Sequence, residues 1–196
     1  MRTEKTMGTR RTRTILAAAV LVFAARVASA DHCPEARTTN APPETSLAGV
    51  DFGRDKLPDV VARLGKPTNH KEGRDDSDPA GSGWSEYEWK QRKVTVSVST
   101  EFYTADTGGR VEAVEVIQLS GAASRVDLGT GRGLRLGDDL NRVVAVYGAT
   151  YVEGTVNGPQ LGKQTMTYCF SDDTELSVGL DPNHRVVAIR LQAPVE

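Results

Sequence analysis

Two short stretches with the same apolar spacing constrain this chain more than anything else in it. Leu140, Val143, Val144 and Tyr147 recur at i, i+3, i+4 and i+7, the spacing that lines one face of an α-helix. Asp138 or Asp139 is placed to accept free first-turn N–H groups, and Gly148 suits the left-handed position past the last turn. Far upstream, Leu57, Val60, Val61 and Leu64 repeat the stripe and Gly65 repeats the stop. A helix this short does not hold in water by itself, so each copy must lie on something. Both are followed by strand-rich sequence. The expected unit is a helix laid on a sheet.

The rest of the chain supports that reading. Tyr87 and Trp89 alternate with Glu86, Glu88 and Lys90, and Val94, Val96 and Val98 alternate with Thr95 and Ser97, the period of half-buried strands. Gly108 and Gly109 predict a tight turn, and Arg110–Leu119 a returning strand. Downstream, three further strands are expected over Thr165–Phe170, Glu175–Leu180 and Arg185–Leu191. Thr68–Gly83 and Tyr151–Lys163, rich in polar residues and glycine, are expected as loops. Tyr87 to Trp89 aligns with Tyr168 to Phe170, and Arg110 to Val114 with Arg185 to Ile189, in the same order as the helices. Matched blocks in one order predict an internal duplication. The fold class is therefore α+β, two tandem repeats, each a short helix packed on a three- to four-stranded antiparallel meander. The expected boundaries are a signal peptide over 1–30, a flexible tail over 31–46, repeat 1 over 47–120, a linker over 121–133 and repeat 2 over 134–196. Val114, Val116, Ile189 and Leu191 are expected to face the helices, with Glu115 and Arg190 on an open opposite face.

A helix closed by Leu64-Gly65 or Tyr147-Gly148, a loop, a Tyr-x-aromatic strand such as Tyr168-Cys169-Phe170 and a return through Arg185, Val186, Ala188 and Ile189 resembles one superfamily. It holds beta-lactamase inhibitory protein and the outer-membrane-assembly lipoproteins of the SmpA/OmlA (BamE) type. Leu136-Gly137, Leu140 and Val143 belong to the same match. Repeat 1 departs from it, since Arg54-Asp55 stands where the pattern has Gly-Asp. The resemblance implies a protein-binding module of the cell envelope or extracellular space, often working through the sheet face opposite the helices. It carries over no partner-contacting residue, and inhibition of a β-lactamase does not follow from it.

The N-terminus points to the same compartment. Arg2, Lys5, Arg10, Arg11 and Arg13 precede an apolar run from Ile15 to Ala25, and Ala28-Ser29-Ala30 offers small residues where a signal peptidase cuts. The run is too short for a span of about 20 residues, and no cysteine directly follows the cut, so neither a membrane anchor nor a lipoprotein is expected. Residues 1–30 hold six of the 24 basic side chains and one of the 26 acidic ones, leaving the remainder near −7. Nucleic acid needs clustered cations and is not an expected partner. In an exported protein Cys33 and Cys169 form one expected disulfide. Two unpaired thiols are the alternative, as is copper chelation by Asp31, His32 and Cys33.

No reaction is specified. His32, His70 and His184 are scattered, and no metal-ligand spacing or CxxC occurs, so no metal site or cofactor is expected. Gly81-Ser-Gly-Trp-Ser85 fails the nucleophile-elbow spacing and Gly129-Thr-Gly-Arg-Gly133 fails the phosphate-loop spacing. The acidic clusters at Asp75–Asp78 and Asp172–Glu175 lack the twelve-residue calcium pattern. Tyr87, Trp89, Tyr168 and Phe170 read as core. Trp84, Phe102, Tyr103 and Tyr151, at element ends or in loops, are the candidate anchors for a partner. The expected function is an exported, non-enzymatic protein-binding module using the open sheet face and loops. The alternative is a small-ligand or lipid carrier with a cleft between the repeats.

Overall fold

The computed structural model describes residues 39–74, 81–91, 93–104, 110–122, 128–154, 161–162, 164–170 and 174–192, all within one compact unit, Asp31–Glu196. The expected signal peptide, Cys33, the Asp75–Asp78 cluster, the Gly108-Gly109 turn and the Tyr103 side chain lie outside what is described.

Helix α1 spans Leu57–Leu64 and α2 spans Leu140–Tyr147. At the start of α2 the Asp139 carboxylate accepts the Arg142 N–H at 3.0 Å, whereas Asp138 accepts the Arg135 N–H one turn earlier. In α1 the order is reversed, and Asp59 reaches back to the Lys56 N–H at 2.9 Å. Pro58 sits in the first turn, where its missing N–H costs nothing. Both helices stop on a glycine in the left-handed region, Gly65 (φ 81°) and Gly148 (φ 97°), whose N–H returns to Val61 O and Val144 O. Each helix buries little: Val60 in α1, and Val143 with Tyr147 in α2. Burying one such side chain stabilises by about 1.5–3 kcal/mol, enough to hold two turns against a sheet.

The fold is α+β, and its sheet is antiparallel throughout. A small hairpin, β1 (Ser46–Leu47) and β2 (Val50–Asp51), turns through Ala48 and Gly49, both at positive φ as a two-residue hairpin loop requires. The main sheet comprises β3 (Asn69–Arg74), β4 (Gly83–Gln91), β5 (Val94–Thr104), β6 (Arg110–Gly121), β7 (Val152–Gly154), β8 (Gln164–Cys169), β9 (Glu175–Leu180) and β10 (Val186–Gln192). Its order is β3-β4-β5-β6-β10-β9-β8-β7. Each helix thus precedes a four-strand meander, and the meanders join through their last strands, from Ser120 opposite Ala188 to Val116 opposite Gln192. The core lies on one side of this sheet. Tyr87, Trp89, Val96, Val98, Ile117, Leu119, Met166, Tyr168, Leu176, Val178, Ile189 and Leu191 point there and are buried beneath the helices and β1–β2.

Three expectations need correction. First, residues 39–46 do not form a free tail. Glu44 is 2 % exposed and takes Tyr147 Oη–H on one oxygen at 2.6 Å, with the N–H groups of Gly131, Thr45 and Ser46 on the other. Thr39 donates to Tyr147 O. With Tyr147's one proton committed to Glu44, the Thr130 hydroxyl 2.8 Å away donates to Tyr147 and accepts from Leu134 N–H. Second, the expected linker over 121–133 ends in structure: Thr130 bridges to Leu47, and the Gly131 N–H donates to Ser46 O at 3.0 Å. Third, both supposed loops hold a strand. β3 and β7 are edge strands with no apolar alternation to announce them, since an edge strand that faces water on both sides has no hydrophobic period.

Candidate protein-binding face

The sheet face turned away from the helices is set by strand parity. In β4 the odd residues Ser85, Tyr87 and Trp89 are buried, leaving Trp84, Glu86, Glu88 and Lys90 on the outward side. Across from these on β5 stand Glu101, Ser99, Ser97 and Thr95. On β6 the parity breaks. Ser99 pairs with Val116 but Thr100 pairs with Val114, so Glu115 is the extra residue of a β-bulge. Val114 therefore stays in the core with Ile117 and Leu119, while Val116 turns outward, opposite Ser99 and Gln192. Val116 was expected to face the helices. The bulge moves it to the other side.

The bulge also brings two carboxyl groups together. Glu115 hydrogen-bonds Glu101 on the neighbouring strand. Partial burial, then the like charge of Glu101, then that hydrogen bond push the Glu115 carboxyl up to about 7. Trp84 is the strand neighbour of Glu101 on the other side. Its indole is 49 % exposed, the one large apolar side chain so exposed among the described residues, and it lies over Gly73 of β3, where a Cβ would collide with it. Lys71 pairs with Glu86 at 3.4 Å and Lys90 with Glu88 at 3.2 Å. No described cation pairs with Glu101 or Glu115.

The same face of the other meander is closed. Thr165, Thr167, Ser177, Cys169 and Ala188 point that way and are buried. Gly179 has no room for a side chain, because the Leu161 carbonyl lies against it. Arg190, between Gln118 and Ser177, is partly buried, which lowers its pKa while Glu175 opposes that, and its Nε has no partner among the described residues. The expectation of a uniformly open face therefore holds for the β3–β6 side alone.

The four candidate anchors are not brought together. Trp84 occupies the outward face. Phe102 is 4 % exposed and turned to the core side, so its assignment as a surface anchor is overturned: parity on β5 puts it in line with Val98 and Thr100. Tyr151 is half-buried against Tyr168, ring centroids 5.9 Å apart. Glu115 was expected on the open face, but Glu101 was not singled out beside it, because only the bulge makes them neighbours.

Elsewhere, a cleft of about 400 Å³ opens between Thr39–Ala41 and the end of α2, lined by Val146–Thr150. It does not lie between the meanders, whose junction within the sheet is the paired seam of β6 and β10. Among the described residues no group of three or more His, Cys, Asp or Glu side chains could hold a metal. None of the described helices is long and apolar enough to cross a membrane. The chain matches no protein-family model, no curated protein and no solved structure.

Proposed function

We propose that this chain is an exported, non-enzymatic protein-binding module that engages its partner with the outward face of β3–β6 and the adjoining loops. One observation carries the reading: the outward face is closed over β8–β10 and left open over β4–β6, with an exposed tryptophan on it. A contiguous face of this kind that keeps an aromatic side chain half in water suits an interface, where tryptophan is a frequent anchor. The reading includes a scaffold made by duplication. Two features support it. Trp89 Nε1–H donates to Gly65 O at 2.7 Å, and Tyr168 Oη–H donates to Gly148 O at 3.0 Å, so an aromatic from the second strand of each meander ties down the stop of each helix. Bulges fall at Glu115 in β6 and Val187 in β10, the last strand of each meander. These features pair Trp89 with Tyr168, two residues away from the register in which Tyr87 matches Tyr168. A slip of two keeps every side chain on its face, which is why the sequence pattern did not betray it. The expected superfamily resemblance, export by a cleaved signal over 1–30 and a Cys33–Cys169 bridge belong to the same reading.

The test is affinity capture from envelope extract and culture medium with the purified protein, alongside Trp84→Ala. A protein captured by the parent and lost by more than about tenfold with the variant, while circular dichroism stays the same, is the expected result. Equal capture by both removes the face from consideration.

A further inference from the structure

Resting on the binding-module reading, we propose that the outward face of β4–β6 docks an arginine-bearing segment of its partner, with the guanidinium stacked on Trp84 and bonded to the carboxyl groups of Glu101 and Glu115. The face is charged in a way that asks for a cation. Its two lysines are spent on Glu86 and Glu88, at 3.4 and 3.2 Å. Glu101 and Glu115 have no described cation between them. Glu101 lies beside the indole, because Trp84 and Glu101 are direct cross-strand partners, a placement that sets Cβ atoms about 5 Å apart, and Glu115 interacts with Glu101 from the next strand.

Glu115, partly buried beside the like charge of Glu101, is pushed toward its protonated form, which marks a spot where positive charge is missing. An incoming guanidinium replaces that proton, which leaves to solvent, and both carboxylates become acceptors. Arginine fits better than lysine for two reasons. Its planar fork bonds a carboxylate through two parallel N–H groups, and its delocalised face stacks on an indole at little cost in hydration. The indole has Gly73 of β3 on one side and Glu101 as its cross-strand partner on the other, so a cation that reaches the ring also reaches a carboxylate. Gly73 is what lets the ring lie there: a Cβ at that position would lift it from the strand.

The test uses the purified protein and a set of fluorescent nine-residue peptides, identical except for a central arginine, lysine, citrulline or glutamate between leucines. Trp84 emission reports on the face, and Trp84→Phe identifies it against buried Trp89. Expected is a blue shift with the arginine peptide, which binds at least about tenfold more tightly than the citrulline peptide. The double variant Glu101→Gln with Glu115→Gln should lose that ratio while keeping the parent's circular dichroism. Absence of binding, a lysine or citrulline peptide equal to arginine, or a double variant that still discriminates overturns the inference. If it is overturned while Trp84→Ala still abolishes capture of a protein partner, the face binds and the chemistry assigned to it is wrong. If capture is also unaffected, the binding reading falls with it.

Discussion

Glu115 holds a proton that the unfolded chain would release, because burial and Glu101 disfavour its charge. Between about pH 4.5 and about 7 the native state then binds more protons than the unfolded one, so the contribution of this group to stability declines as pH rises through that window. Thermal midpoints of the parent minus those of Glu115→Gln should fall across that range and level off above it. A difference that is flat or rises with pH contradicts the pairing with Glu101. A second side chain carries a different load. Tyr147 hydroxyl ionisation is suppressed by burial and by donation to Glu44, so it acts as a fixed donor at any working pH. Tyr147→Phe deprives the buried Glu44 carboxylate of one of its donors and should cost about 1–3 kcal/mol in chemical denaturation. Tyr147 was legible from sequence as the last residue of an apolar stripe. Its partner was not, because Glu44 sits among prolines and polar residues with no pattern to mark it as buried.

Elements that bury one face were readable, and elements without a dry face were not. The two helices, β4, β9 and the body of β5 and β6 announce themselves by their periods, and the observed limits depart from the expected ones by a residue or a few at the ends. Asn69–Arg74 pairs along its whole length with β4, yet carries six residues of which none is fully buried. The bulges at Glu115 and Val187 were equally invisible, since an extra residue in a ladder leaves composition unchanged while reversing which neighbours share a side. The helix starts offer a direct comparison. Asp139→Ala removes a side-chain acceptor from the first turn of α2 and should cost about 1 kcal/mol. Lys56→Ala at the corresponding place in α1 should cost close to nothing, because there the acceptor is Asp59. Urea titration of the two variants checks the contrast, and equal losses would refute this account of the caps.

At the scale of the whole molecule, Cys169 is buried on the closed side of the sheet, on the same face as Thr165 and Thr167. No free cysteine is found among the described residues. Its proposed bridge to Cys33 would pin the N-terminal region to that closed side and, by loop-closure entropy, stabilise by about 5 kcal/mol. Alkylation of the denatured protein without reductant should add no label. After reduction two labels should appear and the thermal midpoint should drop. A label before reduction excludes the bridge.

The seam between β6 and β10 also imposes an order of events on a chain made from its N-terminus onward. β6 closes at Gly121 and its sheet neighbour does not begin until Val186. Until then β6 presents a bare ladder of unpaired amide and carbonyl groups bearing Val116, Ile117 and Leu119, a ready template for another nascent chain. A sheet ending at β6 would thus carry, besides the polar β3 edge, a second and apolar edge of the kind that pairs with another chain when nothing covers it.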